Sequence, residues 1–446
     1  MRLIPTLLLA GALALLSAGS AWAVTIEKVT SPGGITAWLV EDHSVPVVST
    51  SIAFRGGAAL DPDDKAGLAT FTANLLDEGA GDLDSTAYQS KLEDLAASLG
   101  FDVDQDTISA RLRTLSANIA PAYDLLHLAL TAPRFDAGPV ARLRAELLDS
   151  LGRDLRQPNA MAYRLWWKTS FAGSPYARST RGTPQSIEHI TPDDMRALVH
   201  ARFAKDALIV AVVGDITPAA LKPLLDKTFG SLPDHAAPDT LGEIAVHRSN
   251  AVMVSDMPVP QSVVIFGQQG IKRDDPDWYA ALLVLNILGS GGLTSRVALE
   301  VREQRGLAYS VSASLDPLRH AGIILGQVAS QNARVAQAID LIRQEWRRMH
   351  DSGPTAKELA DAKTYLTGSF PLSLDSTARI ASILVSMQLD RLGIDYLDRR
   401  DALIEKVTLA DAKRAARRIL DPEGLFFVVV GSPANLSDAQ RIAPGG

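Results

Sequence analysis

Residues 285–315, LNILGSGGLTSRVALEVREQRGLAYSVSASL, predict a helix, a glycine turn, a second helix and a strand. The segment 289–292 (GSGG) ends the first helix, because glycine adopts positive φ angles at little cost. Thr294 or Ser295 is placed to cap the second helix, and Gly306 stands where a C-terminal cap glycine belongs. This order of elements is typical of a mixed α+β domain.

The strand that follows is predicted from a strict alternation of side chains, which is the period of a strand with one covered face. The outward face carries serines. The covered face is predicted to carry Tyr309, Val311, Ala313 and Leu315.

Two hydrogen-bond donors meet at the corner between this helix and this strand. Arg302 lies in the last helical turn, and Tyr309 opens the strand seven residues later. A guanidinium and a phenol held together in this way are suited to bind a peptide carbonyl or a developing oxyanion. The spacing alone leaves open a plainer interpretation, in which Arg302 is a solvated helix-end cation and Tyr309 is the first core residue of the strand.

The composition is that of a folded globular protein. The 446 residues are 47% hydrophobic and 21% charged, a length that favours two or more domains. The net charge of −7 argues against a nucleic-acid partner. The chain has no cysteine, which excludes disulfides, thiolate metal sites and a lipid-modified cysteine.

The N-terminal segment 1–23 is predicted to be a signal peptide. Arg2 precedes an apolar run over 7–16, and Ala-Trp-Ala at 21–23 fits the small-x-small cleavage pattern, which leaves Val24 as the mature start. The apolar run is short for a membrane anchor. We therefore expect an exported protein that is periplasmic if the source is Gram-negative and has no membrane attachment after cleavage.

An internal repeat defines the domain organisation. Residues 187–214, IEHITPDDMRALVHARFAKDALIVAVVG, align without a gap with residues 404–431, IEKVTLADAKRAARRILDPEGLFFVVVG. Each copy reads as a threonine N-cap, a helix, a short turn and an apolar strand. A repeat at domain spacing predicts two homologous α+β domains, each an antiparallel sheet packed with helices, at 24–232 and 251–446, joined by a polar linker at 233–250.

The segment 295–313, SRVALEVREQRGLAYSVSA, resembles the C-terminal half of the pitrilysin and mitochondrial processing peptidase family, the inverted-motif zinc peptidases. In that family an Arg and a Tyr seven residues apart hold the substrate beside the zinc. Carried over by position, these substrate-binding residues are Arg302 and Tyr309. The resemblance extends over nearly the whole mature chain.

The same resemblance locates a lost metal site. In the family, His-x-x-Glu-His follows Gly-Leu-Ala on a helix, which is predicted here over 66–76. The two histidine positions hold Thr70 and Asn74, and the general-base position holds Ala73. The family spacing puts the third ligand at Ser150. None of these residues is a good zinc ligand or base, so the chain is expected to bind no metal and to have no catalytic residue of its own.

Members of this family enclose a peptide between two clam-shell lobes, each built of two such domains. Some divide the lobes between two chains, one with the metal motif and one with the Arg/Tyr pair. The resemblance therefore implies one half of a heterodimeric zinc metallopeptidase. This chain would hold an extended peptide, and a homologous partner would supply zinc. The isolated chain is a candidate homodimer.

Two other classes of function stay open. A chain without the metal motif also suits a structural or peptide-binding scaffold with no proteolytic role. A hydrolase of another mechanism is a further alternative, although Ser290 and Ser295 have no obvious His/Asp set.

Overall fold

A computed structural model describes residues 24–436 and 438–443. The predicted signal peptide at 1–23 lies outside the described residues. Within them, no helix combines the length and apolar character that a membrane crossing requires.

The first half of the chain forms a six-stranded sheet in the order β1-β2-β6-β3-β5-β4. β2 and β6 are parallel, and the other neighbours are antiparallel. The strands are β1 (Glu27–Thr30), β2 (Thr36–Glu41), β3 (Val47–Arg55), β4 (Ser98–Val103), β5 (Thr107–Leu115) and β6 (Leu208–Gly214).

The second half forms a sheet in the order β12-β7-β11-β8-β10-β9. β11 is parallel to β7 and antiparallel to β8, as β6 is to β2 and β3. Five strands of each sheet therefore share one topology, which confirms the predicted pair of homologous α+β units. The sixth strands differ, because β1 is antiparallel to β2 whereas β12 is parallel to β7. The strands are β7 (Val252–Asp256), β8 (Gln261–Gln269), β9 (Ala308–Pro317), β10 (Gly322–Gln331), β11 (Phe426–Gly431) and β12 (Gln440–Ile442).

Helices pack against both faces of each sheet. Those of the first half are α1 (Leu68–Ala73), α2 (Ser85–Asp94), α3 (Ile119–Thr131), α4 (Ala137–Asp154), α5 (Pro158–Ser170), α6 (Pro184–His189), α7 (Pro192–Arg202) and α8 (Pro218–Phe229). Those of the second half are α9 (Trp278–Leu285), α10 (Arg296–Ala298), α11 (Val335–Ser352), α12 (Ala356–Ser369), α13 (Thr377–Leu389), α14 (Tyr396–Glu405) and α15 (Leu409–Ile419).

The repeat is visible at the level of single hydrogen bonds. Thr191 caps α7 by accepting from the amide of Asp194 at 3.3 Å, and the Asp194 carboxylate accepts from the amide of Thr191 at 2.9 Å. Thr408 and Asp411 form the same capping box on α15, at 3.1 and 3.0 Å. Each box fixes the start of the helix that leads into a central parallel strand.

The two halves exchange one helix each. α5, from the first half, packs on β8 and β11, and its Trp166 is fully buried there. α13, from the second half, packs on β3 and β6, with Leu384 fully buried. Each sheet therefore depends on the other half to cover its second face, so the halves bury a common core.

The predicted linker at 233–250 contains no helix or strand, but it is held against both halves. The amide of Ala237 donates to the carbonyl of Ala201, and that of Ile244 donates to His320, each at 2.7 Å. The domain boundaries themselves stay a prediction of the sequence.

Candidate functional site

The helix that carries Arg302 begins after the N-cap Ser295 and continues beyond α10 as a π-turn over Leu299–Glu303. Gly306 has a φ of 58°, its amide donates to the Arg302 carbonyl at 2.9 Å, and the amide of Leu307 donates to Val301 at 2.9 Å. This left-handed cap is the one predicted for Gly306, and it turns the chain directly into β9.

The turn brings Arg302 and Tyr309 together. The guanidinium carbon of Arg302 lies 5.2 Å from the centroid of the Tyr309 ring, within the range of a cation–π contact. Arg302 also lies 3.3 Å from the Glu303 carboxylate. Tyr309 is 84% exposed. The corner predicted from the seven-residue spacing therefore exists, with both side chains accessible to a ligand.

The predicted orientation of Tyr309 is wrong. Val311 pairs with Val328, but Ala308 pairs with Ser330, so β9 holds one extra residue at this point. Such a bulge places the side chains that precede it on the opposite face of the sheet from the one that strict alternation predicts. Tyr309 therefore points to solvent and is no core residue, whereas Val311 and Ala313 are buried as predicted.

β9 is the outermost strand of the second sheet. It pairs with β10 on one side, and no strand in the described ranges pairs with it on the other. A sheet edge of this kind can accept an extended peptide as an additional strand. The edge begins beside Tyr309.

The glycine segment 289–292 has a structural function. A Cβ atom on Gly289 would lie 2.7 Å from the backbone and Cβ of Ala313, so only glycine lets this turn approach β9. Gly292 has a φ of 63° and an open surrounding, next to the half-exposed Leu293. Packing thus accounts for Gly289.

The helix predicted over 66–76 is shorter than expected. α1 begins after Gly67, whose φ is 91°, and ends at Ala73. Asp61 accepts from the amides of Gly67 at 2.9 Å and Ala69 at 3.1 Å, which satisfies the free donors of the helix start. Asn74 is the C-cap and is exposed.

One loop contacts two of the four positions that the resemblance assigns to a lost metal site. The Thr70 hydroxyl donates to the carbonyl of Thr180 at 2.6 Å. The adjacent Arg181 donates to the Ser150 hydroxyl at 2.6 Å and forms an ion pair with Asp154. Ala73 is buried and contributes only a methyl group.

These residues do not fit zinc. Where the resemblance places a metal ligand, the Ser150 oxygen accepts from a guanidinium, which is itself a cation. The Thr70 hydroxyl is committed to a backbone carbonyl. Among residues 24–436 and 438–443, no group of three or more His, Cys, Asp or Glu side chains is arranged to hold a metal ion. Thr and Ser hydroxyls are poor zinc ligands.

The structure contains a cavity of about 1020 Å³ between the two halves, which the sequence did not predict. Its walls include Arg55 from the end of β3, Trp167 from α5, Arg319 from the β9–β10 turn and Arg391 after α13. These residues are distant in the sequence, and no local sequence pattern indicates that they line one cavity.

Comparisons with known proteins agree with this architecture. Residues 189–366 match a family model described as "Peptidase M16 inactive domain". The chain is 28% identical to the "Non-peptidase homolog YmxG" of Helicobacter pylori over 88% of this chain and 90% of that protein. It is 22% identical to a mitochondrial-processing peptidase subunit beta of Lentinula edodes, over 93% and 92% respectively.

A solved structure has the same fold. The crystal structure of a peptidase M16 inactive domain from Pseudomonas fluorescens superimposes with a TM-score of 0.86 at 28% identity, covering 93% of this chain and 99% of that one. These similarities confirm the resemblance to the pitrilysin and mitochondrial processing peptidase family that the sequence predicts. Within that family it is similar to members described as inactive or as non-peptidases.

Proposed function

We propose that this chain is the non-catalytic, substrate-binding subunit of a two-chain zinc metallopeptidase. The observation that carries the proposal is the Arg302–Tyr309 corner, a contacting and accessible pair of donors beside a free sheet edge. The positions at which the resemblance places metal ligands support it, since Thr70 donates to Thr180 and Ser150 accepts from Arg181, which is no arrangement for zinc. A heterodimer with a homologous zinc-bearing chain supplies what is missing.

The two side chains have complementary roles in this proposal. The phenol of Tyr309 donates a hydrogen bond to the carbonyl of an extended peptide, and the guanidinium of Arg302 stabilises the charge that develops on it. Stacking on the Tyr309 ring holds the guanidinium in position before the substrate arrives. The peptide adds as a strand along β9. The partner chain provides His-x-x-Glu-His, zinc and the attacking water.

The experiment is peptide cleavage by the purified mixed pair with Arg302→Ala or Tyr309→Phe in this chain. Each change is expected to lower kcat/KM on the order of 100-fold, the effect of removing one oxyanion donor. Arg305→Ala and Tyr365→Phe are the matched controls, because they alter an exposed Arg near the same helix end and an exposed Tyr of the same half. Size-exclusion chromatography checks that all variants assemble. Wild-type turnover in both Arg302 and Tyr309 variants would reject this role.

A structural or peptide-binding scaffold is the second candidate. It is favoured by the similarity to a relative named as a non-peptidase homolog. A scaffold predicts a stable complex whose peptide cleavage is insensitive to Arg302 and Tyr309. The variants above therefore separate the two functions.

We further propose export through the signal peptide at 1–23, to the periplasm in a Gram-negative host. Mass spectrometry of the native protein is expected to find Val24 at its N-terminus. An intact Met1 on the purified protein would contradict export by this route. The isolated chain is proposed to form a homodimer through the face that binds the partner, which light scattering tests by its mass.

A further inference from the structure

The cavity between the two halves holds cations that the proposed peptidase role does not use. Neither Arg302 nor Tyr309 lines it. Most of its cationic side chains already have a carboxylate: Arg181 pairs with Asp154, and Lys272 pairs with Glu243. The cationic side chains that lack a carboxylate partner are therefore the ones whose presence in the cavity needs an explanation.

Arg55 is the first of these. It is half-buried at the end of β3, and its guanidinium donates a single long hydrogen bond of 3.4 Å, to the carbonyl of Gln388. No carboxylate in the described part of the chain lies within ion-pair distance of it. Burial lowers the pKa of Arg55, and the neighbouring cations Arg319 and Arg391 lower it further. The guanidinium groups of Arg55, Arg319 and Arg391 thus lie near one another, and of these three Arg319 is paired, with Asp239 at 3.2 Å.

Arg391 is the second. It has a φ of 55° directly after α13, where its amide donates to Gln388 at 3.2 Å and the amide of Leu392 donates to Met387 at 2.9 Å. This is the left-handed cap position that glycine usually fills, as Gly306 does in the same chain. The left-handed backbone conformation is energetically unfavourable for arginine, whereas glycine adopts it readily. Arg391 lines the cavity, and no ion pair joins its side chain to a carboxylate among residues 24–436 and 438–443.

A residue held in an unfavoured backbone conformation at a cavity wall points to a function of its side chain. Arginine pairs recognise carboxylates and phosphates through their planar donor fork. The cavity lining also includes carboxylates, among them Asp106 and Asp316. In total it has eight Arg and Lys residues and six Asp residues. That balance suits a singly charged carboxylate better than a multiply charged phosphate.

Part of the cavity lining is apolar. Trp167 is buried against Phe171, at 5.0 Å between ring centroids, and Tyr163 lies 5.8 Å from Trp167. Met161 and Leu318 also line the cavity. Ligand cavities of several hundred cubic ångström commonly combine an apolar wall with a few polar anchors. We propose that this cavity binds an organic carboxylate, with Arg55 and Arg391 holding the carboxylate group and the Tyr163–Trp167 wall contacting its apolar part.

Isothermal titration calorimetry on the full mature chain tests this with defined probes. The probes are N-acetyl-Leu-Phe with a free carboxylate, the same dipeptide amidated, and amidated N-acetyl-Leu-Glu, whose carboxylate is in the side chain. At least one carboxylate probe is expected to bind about tenfold or more tighter than the neutral amide. Which of the two binds identifies a terminal or a side-chain carboxylate. Failure of both, or equal binding of the amide, overturns the proposal.

Arg391→Gly is the decisive variant because it cannot fail for lack of folding. Glycine suits the φ of 55°, so the melting temperature is expected to hold or rise while affinity for the carboxylate probe falls about tenfold. Arg55→Gln is expected to weaken binding similarly. Lys272→Gln, which removes an equal charge already paired with Glu243, is the control. Unchanged affinity in Arg391→Gly, or displacement of the probe by inorganic phosphate at equal concentration, contradicts the assignment.

Discussion

Arg296 donates two hydrogen bonds to Glu358, from Nε at 2.7 Å and from Nη2 at 2.8 Å. The Arg296 side chain is almost fully buried, and Glu358 also closes the capping box of α12 by accepting from the amide of Thr355 at 2.7 Å. This bidentate pair therefore ties the start of the helix that ends near Arg302 to the start of α12. It fixes the frame in which the Arg302–Tyr309 corner is held.

Glu358→Gln is expected to lower the free energy of unfolding by about 3 kcal/mol, because it leaves the buried Arg296 without its counter-charge. Denaturant unfolding at neutral pH measures this. Asp361→Asn on the same helix, which alters an exposed pair with Lys357, is the control and is expected to change little. Equal stability of the two variants would contradict a structural role for the pair.

The same pair predicts acid sensitivity. Although burial raises the pKa of Glu358, the hydrogen bonds from Arg296 and Thr355 outweigh it and lower the pKa to about 2, from an ordinary 4.5. The folded state therefore holds the carboxylate ionised where the unfolded state does not. This stabilisation is fully present above pH 4.5 and is lost as pH falls toward 2. The stability difference between wild type and Glu358→Gln is expected to shrink over that window.

Asp61 predicts the opposite pH dependence. Burial raises its pKa to about 7, against the hydrogen bonds from the amides of Ala69 and Gly67. Between pH 3.8 and 7 the folded state binds more protons than the unfolded state, so the free energy of unfolding falls as pH rises. The slope attributable to Asp61 approaches about 1.4 kcal/mol per pH unit.

Thermal unfolding of Asp61→Asn across this range checks the assignment, since the variant has no group to titrate at this position. Its stability is expected to depend less on pH than that of wild type. Asp64→Asn, on the exposed turn nearby, keeps the wild-type slope. A slope unchanged in Asp61→Asn would show that another group is responsible.

The exchange of helices between the halves predicts a large effect of Trp166. This indole is fully buried in the second half, and a Cβ atom on Gly267 would lie 2.7 Å from its ring. Trp166→Ala is expected to lower the free energy of unfolding by about 3–5 kcal/mol through the cavity it leaves. Tyr163→Ala, on the same helix but 47% exposed, is expected to cost much less. Similar losses in both would contradict a common core.

The sequence was sufficient for the features that local chemistry encodes. The predicted threonine caps of the repeat, Thr191 and Thr408, are formed, each within a capping box, because a hydroxyl three residues before a carboxylate satisfies donors within one turn. Gly306 adopts the predicted left-handed conformation for an equally local reason. The α+β class followed from these elements and their repetition.

Features that depend on distant contacts were not predictable. The outward orientation of Tyr309 arises from a bulge in its pairing with β10, a register shift that alternation along β9 alone does not reveal. The packing of α5 on the opposite half is fixed by the space over Gly267, whose role appears only when Trp166 is placed against it. Arg55 and Arg391 lie close together because α13, which precedes Arg391, packs on β3, which ends at Arg55.

The surroundings of the positions at which the resemblance places lost metal ligands could not be predicted from the sequence. The sequence shows that Thr70 and Ser150 replace ligands once the family is recognised. It does not show that Thr180 and Arg181 would contact these two residues, because that loop lies far along the chain. The contact between the Arg181 guanidinium and Ser150 is a property of the folded arrangement.

The division of labour between two chains is tested most directly by zinc analysis of the separated, purified subunits, combined with peptide cleavage by each alone and by the mixture. If the proposed roles are right, this chain alone contains no stoichiometric zinc and cleaves no peptide. The partner chain contains one zinc per chain, and only the mixture cleaves the peptide. One equivalent of zinc bound by this chain, or proteolysis by it in the absence of a partner, would contradict the account.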